Sequence, residues 1–377
     1  MLYLDHAATT PMRPEAWNAM ESARDSFGNP SGVHAVSRTA KNALEEARER
    51  AAAALGAARP SEIVFTAGGT EADNLAVAGA ALAGGTPSHV VVSAVEHKAV
   101  LESASFVERL GARVTRVTVD EDGLVDPNGV VAAVGEETAV VSVMLANNET
   151  GARQPVSDIA TGVHSINPRT RVHTDAVQAF ISEDVDVAEL GVDLLSLAAH
   201  KFGGPKGIGL LYVRDGVRLE PAVHGGSQEM GRRAGTQNLM GATAMVAAME
   251  ATVADRQGFR ERVAAARDAF ELHLAQAVPG LKVNGPPDRR LVQHSHLGFP
   301  GHTSETLLIR FDQSGLAAAA GSACQSGAVE ASHVLAAMGM SPTEAAEAIR
   351  FSFGWTTVPA DAELAAKIVL DVLEDLA

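Results

Sequence analysis

Residues 194–209 read LLSLAAHKFGGPKGIG, an apolar run that ends on a His-Lys pair and then breaks into glycines. Leu194, Leu195, Leu197, Ala198 and Ala199 make a run too short to cross a membrane and of the right length for a buried strand. Lys201 therefore sits at a strand end, followed by the tight, low-bulk backbone of Gly203, Gly204, Pro205, Gly207 and Gly209. An ammonium group at the edge of an apolar interior loses hydration, so its pKa should fall and its neutral amine become a nucleophile of the Schiff-base kind. A surface lysine in a turn fits this stretch alone equally well, so the residues gathered around Lys201 must decide.

The same pattern recurs upstream. Apolar strands are predicted over 62–66, 89–95, 114–119, 139–146 and 171–175, separated by helical stretches, and most run into polar residues. His97, Asn148, Asp175 and Gln178 arrive at such ends beside Lys201. Strands apolar throughout and alternating with helices predict an α/β fold, a parallel-rich sheet covered on both faces with a site at the carboxyl ends of its strands. After the first of these strands, Gly68 and Gly69 precede Thr70 at a helix start, where bare N–H groups and the helix dipole suit an anion such as phosphate. Thr70 serving only as an N-cap explains the threonine almost as well.

Arg232 and Arg233, in a glycine-rich loop with Thr236, suit a phosphate or carboxylate, or a solvated loop. A helix is predicted from Phe259 through Leu274 to the stop at Pro279, and another at the end of the chain through Leu364, Ile368, Val372 and Leu376. A domain change is expected here, giving a large domain of residues 15–255 and a small α+β domain of residues 1–14 and 256–377. Small residues flank Cys324, which argues for an accessible thiol rather than a packed one. Arg350, set among apolar strand residues, is costly to bury unless it meets a carboxylate, from the protein or from a ligand.

At 377 residues, with 46% hydrophobic and 20% charged side chains, the composition is that of a globular enzyme with a large core. The formal net charge of −16 argues against nucleic acid or an anionic membrane as a main partner. MLYLDHAATT has no basic leader or sustained apolar core, so no signal peptide is expected, and the single cysteine suits a reducing cytoplasm.

Ten motifs then fall in one order along nearly the whole chain: YLDHAATT, NPSGVH, GGTEADN, Glu96-His97, NNETG, HTDAVQ, AHKFGGPKGIG, RRAGTQN, GSACQSG and RFSFGW. Together they resemble the cysteine desulfurases of the NifS and IscS type, in the class V aminotransferase group of pyridoxal-phosphate enzymes. The resemblance implies a fold-type I transferase in which Lys201 attaches to the cofactor aldehyde and moves protons. It implies Asp175 at the pyridine nitrogen, Gln178 at the ring oxygen and His97 on the ring face. Gly69, Thr70, His200 and, across a homodimer interface, Thr236 are implied at the phosphate. Asn148 and Arg350 are implied at the substrate carboxylate, and Cys324 as the nucleophile that takes sulfur from L-cysteine and hands it to an acceptor protein. That acceptor is an iron-sulfur scaffold or a thiolation enzyme, and no metal site is expected.

One position departs from the family pattern. Ala198 stands where a serine commonly contacts the phosphate, which removes a hydrogen bond worth about 1 to 3 kcal/mol and predicts weaker cofactor retention. Rival readings are a selenocysteine lyase or aminotransferase of the same fold, or a sulfur-relay protein without chemistry. An accessible thiol counts against transamination, and Lys201, Asp175, His97 and Cys324 together count against loss of chemistry.

Overall fold

Runs such as IVFT at Ile63–Thr66, HVVVS at His89–Ser93 and LLSLA at Leu194–Ala198 are buried at every position, as strands covered on both faces must be. The structure is a computed structural model that describes residues 1–321 and 332–376. Its strands in chain order are β1 (Leu2–Tyr3), β2 (Ile63–Thr66), β3 (His89–Ser93), β4 (Val114–Val117), β5 (Thr138–Ser142), β6 (Arg171–Asp175), β7 (Leu194–Ala198), β8 (Gly209–Val213), β9 (Lys282–Val283), β10 (His294–Gly298), β11 (Leu316–Ala317) and β12 (Ala348–Ser352).

Strands β2 to β8 form one sheet in the order β2-β8-β7-β6-β5-β3-β4. It is mostly parallel, as predicted; only β8 runs antiparallel to its neighbours β7 and β2. Alternate residues serve opposite faces. Val64, Val90, Val92, Val140, Leu194 and Leu211 pack with the helices Gly69–Leu82 and Lys98–Arg109. Phe65, Val91, Val141, Leu195 and Leu210 belong to the larger core.

Several strands end earlier than predicted. β5 stops at Ser142; beyond it Val143 and Leu145 N–H still donate to His173 O at 3.1 Å and Asp175 O at 2.9 Å, but Met144 N–H turns to the Glu96 carboxylate at 2.8 Å. The helix expected from Phe259 begins twenty residues sooner and spans Leu239–Ala277. Its first turns, from Leu239 to Met249, are buried almost all round, so no polar stripe marks them in the sequence. Position 255/256 lies inside this continuous helix, which packs against Pro14–Ser22 and Ala35–Ala54 and later, through Phe270, against Phe351 and Phe353 of the second sheet.

That second sheet is antiparallel, in the order β12-β10-β9. The N-terminal segment is an extended arm. β1 pairs in parallel with β11, Asp5 bridges to Ser352, and Ser352 N–H donates to Leu4 O at 2.7 Å. The arm thus crosses from β11 and β12 to the carboxyl ends of β6 and β7, where Gln178 and Lys201 bond its Ala7 carbonyl.

Candidate active site

Strand order reverses between β3 and β5, and in an open α/β sheet such a switch leaves a crevice beyond the carboxyl ends of the strands. A cavity of about 230 Å³ opens there. Gly69, Thr70, His97, Asn148, Asp175, Gln178, His200 and Lys201 all line it, so eight of the predicted residues are brought together.

Lys201 Nζ donates to two carbonyls of the N-terminal arm, Ala7 O at 2.6 Å and Ala8 O at 2.9 Å. Burial, helped by the nearby Arg350 guanidinium, lowers its pKa to about 8, although Asp175 and Asp5 pull the other way. The amine therefore loses its proton about pH 8, well below the range of an exposed lysine. Asp175, at the end of β6, is 6% exposed and accepts the Val177 N–H at 2.9 Å through Oδ1. Burial raises its pKa, opposed by His97, the Val177 N–H and Lys201.

The ring of His97 borders the open cavity while its Nδ1 accepts the Ala99 N–H at 3.1 Å, capping the helix Lys98–Arg109. That bond fixes the proton of the neutral ring on Nε2. Burial lowers its pKa and favours this neutral form. Gln178 Nε2 donates to Ala7 O at 2.9 Å, and His200 Nδ1 lies 3.2 Å from Thr9 Oγ1. Burial and then Lys201 lower the pKa of His200 to about 4.

At the other end of the cavity the helix Gly69–Leu82 begins without a side-chain cap, because its N-cap is Gly68. Thr70 is thus not the cap, and its exposed hydroxyl is free for another partner. A Cβ on Gly69 would lie 3.1 Å from Val177 Cγ2 and 3.3 Å from Ala198 Cβ, so glycine lets the helix start approach the floor closely. The two adjacent arginines are engaged internally. Arg233 Nε donates to Glu71 at 2.8 Å and Arg232 Nη1 to Ser61 O at 2.9 Å.

Two predicted residues lie elsewhere. Thr236 lines an adjoining recess with Ala67, Gly207 and Ile208. Arg350, on β12, stands behind the cavity, where Nη2 meets Asp5 Oδ1 at 2.8 Å and Nη1 donates to Asn148 O at 2.8 Å. The carboxylate that its burial demands is supplied by the protein itself. Cys324 lies outside the described residues.

Sequence reasoning missed Asp73, Met144 and Val177, which also line the cavity, and the arm carbonyls on Lys201. Asp73 is 1% exposed, and burial followed by the neighbouring Asp175 holds its pKa well above the ordinary value. A carboxylate three residues after Thr70, in a helix that is apolar from Leu75 onward, is the signal that could have found it. Among the described residues no group of three or more His, Cys, Asp or Glu is placed to hold a metal ion, and no helix is long and apolar enough to cross a membrane.

Comparison with known proteins matches this arrangement. The aminotransferase class-V family model covers residues 2–364. A cysteine desulfurase IscS of Dictyoglomus turgidum is 42% identical over 375 residues, 99% of this chain and 93% of the relative. An IscS-like cysteine desulfurase of Mycobacterium tuberculosis is 39% identical over 377 residues, 98% of this chain and 95% of the relative. Among solved structures, a NifS-like protein superposes with a TM-score of 0.91 at 33% identity over 99% of both chains. SspA in complex with cysteine does so with a TM-score of 0.81 at 35% identity, over 94% of this chain and 99% of the other. With family model, sequence relatives and structures in agreement from end to end, the chain belongs to the class-V aminotransferases and, within them, to the cysteine desulfurases of the IscS and NifS type.

Proposed function

We propose that this protein is a pyridoxal-phosphate-dependent cysteine desulfurase that converts L-cysteine to L-alanine and leaves a persulfide on Cys324. The observation that carries the reading is one cavity holding a lysine of lowered pKa, a buried aspartate and an uncapped helix start with exposed Thr70. This donor set fits the cofactor. The amine suits its aldehyde, the carboxylate its ring nitrogen, and the free N–H groups its phosphate. When bound, pyridoxal phosphate supplies the attachment point for amines and an electron-poor ring that draws charge from the substrate α-carbon.

The chain's own groups do the rest. Lys201 holds the cofactor and, once released by substrate, takes the α-proton and returns a proton to the product. Asp175 would hold the ring nitrogen and keep it protonated, Gln178 would serve the ring oxygen, and His97 would support the ring. Gly69, Thr70 and His200 serve the phosphate, joined by Thr236 from the second chain of a homodimer; the position of Thr236 outside its own central cavity supports that assignment. Asn148 and Arg350 hold the substrate carboxylate.

The Cys324 thiolate attacks the cysteine sulfur, so that the C–S bond breaks as an S–S bond forms. The Cys324 sulfur and the substrate sulfur are each oxidised by one electron, the substrate carbon takes both electrons and a proton, and alanine leaves. In this reading the smaller unit, residues 1–14 and 256–377, carries Cys324, and the persulfide passes to an acceptor protein for iron-sulfur cluster assembly or thiolation in the cytoplasm. The test is to add L-cysteine to the cofactor-loaded protein and to a Cys324→Ala variant, and to quantify alanine and sulfide under reductant. Equal sulfur release by both proteins would overturn the assignment of Cys324. Absence of alanine from the wild type would overturn the activity.

A further inference from the structure

Glu149 is a buried carboxyl group that the proposed chemistry does not use. It follows the cavity residue Asn148 in a turn folded around Asn147, whose Oδ1 accepts the N–H groups of Glu149 at 2.8 Å and Thr150 at 3.0 Å. That turn fixes where the side chain goes. Oε2 of Glu149 accepts the Ser332 hydroxyl at 2.6 Å, and both residues are almost fully enclosed, at 1% and 4% exposure. The same oxygen closely approaches Gly321. A Cβ built there would lie 2.6 Å from it, and the backbone at Gly321 has φ +82°, so the position admits glycine alone without strain.

Gly321 and Ser332 are the described residues on either side of the segment that contains Cys324. One carboxylate oxygen thus bonds one flank and fills the space where a side chain at the other would stand. The flanks are also tied to the substrate side of the cavity. Arg350 Nη1 donates to Asn148 O at 2.8 Å and lies 3.4 Å from Gly321 O, while His333 Nε2 meets the carbonyl of Glu96, the residue before His97, at 2.9 Å. Ser332 in turn accepts the Leu335 N–H at 3.2 Å and caps the helix His333–Ala337, so its hydroxyl cannot turn away without uncapping that helix.

We infer that Glu149 is a positioning residue for sulfur transfer: it bonds Ser332 and packs beside Gly321 at the turn that presents Asn148, and so acts on the reaction through the two ends of the stretch that contains Cys324. This rests on the reading of Cys324 as the sulfur acceptor. Glu149 does not touch substrate, and its effect runs through the two flanks.

The test compares cofactor-loaded wild type, Ser332→Ala and Glu149→Gln in two measurements: alanine formed in a single turnover, and the rate at which iodoacetamide alkylates Cys324. Glutamine keeps an oxygen that can accept the Ser332 hydroxyl. Ser332→Ala should lower single-turnover alanine by about tenfold to a hundredfold, as small misplacements of reacting atoms do. The half-saturating L-cysteine concentration for its spectral change should stay at the wild-type value. Alkylation of Cys324 in Ser332→Ala should be about threefold faster or more, and Glu149→Gln should stay within about threefold of wild type in both measurements. Unchanged alkylation in Ser332→Ala overturns the inference, as does an equal loss in both variants, since the glutamine oxygen would then fail to substitute. If Cys324→Ala makes alanine as fast as wild type, the sulfur-acceptor reading falls, and alkylation still decides whether Glu149 holds the segment.

Discussion

The two halves of the site are built differently. The cofactor half rests on consecutive strands of one sheet: Asp175 ends β6, Lys201 follows β7, and His97 and Asn148 follow β3 and β5 within a few residues. The substrate half is a clasp of distant pieces, in which Arg350 joins Asp5 across 345 positions and Asn148 across 202. The first half is fixed by local rules, strand then turn then helix. The second exists only when arm, large sheet and small sheet meet. Substitutions in the first half should therefore act on cofactor attachment, and those in the second on substrate recognition.

The largest effect should break the cofactor half outright. Lys201→Ala removes the amine and proton carrier together, and turnover should fall by about 10²- to 10⁴-fold, with the visible band lost on gel filtration. If that variant keeps its colour and rate, the strand-end lysine is not the attachment point. Arg350→Lys should instead spare the band and raise KM for L-cysteine by about tenfold to a hundredfold, equivalent to about 1.4–2.8 kcal/mol. A lysine at this position cannot reach Asp5, Asn148 and a ligand carboxylate with one planar fork. A change in KM with the band intact would sharpen the division; loss of the band would erase it.

Ala198→Ser tests the phosphate end. The new hydroxyl lies beside Gly69 at the helix start and should slow cofactor release in a dilution assay, at the lower end of about 1 to 3 kcal/mol. Release no slower than wild type would mean that the helix N–H groups already saturate the phosphate.

The smallest effect is on pH. Lys201 holds its proton more weakly folded, with a pKa of about 8, than its ordinary value of 10.5. Its charge therefore costs the fold most below about pH 8, and that cost fades as pH rises to 10.5. In the same direction, cofactor attachment followed at the visible band should speed up as pH rises towards 8 and then level off. A rate independent of pH between 6 and 8, roughly the lower flank of that titration, would mean that the arm carbonyls do not leave the amine in this state.

These contrasts also mark what the sequence made legible. Lys201 and His97 follow apolar runs, and Asp175 and Gln178 repeat the strand-end position, so these four could be placed from neighbours alone. The phosphate loop was legible for the same reason, although the N-cap fell on Gly68 and not on Thr70. The start of the long helix at Leu239 was hidden because burial on all sides erases helical periodicity. The pairing of Asp5 with Arg350 was beyond local reading: the sequence shows that a buried arginine needs a carboxylate but not which of 46 acidic residues supplies it. Asp73 was missed although it stands one turn from Thr70, because a charged residue in a helix reads as solvent-facing unless that whole face is known to be covered.

The arm that holds Lys201 is made first and finds its partners last. Leu2 and Tyr3 pair with Leu316 and Ala317, and Asp5 pairs with Arg350. At about 5–20 residues per second, a ribosome needs roughly 20–70 s to reach those partners after the arm emerges. For that interval the large sheet can form while its lysine lacks both carbonyls, so a nascent chain stopped before Leu316 should expose its first ten residues, roughly one extended segment, to protease. The closing of the arm over Lys201 is thus deferred until β11 and β12 have been made.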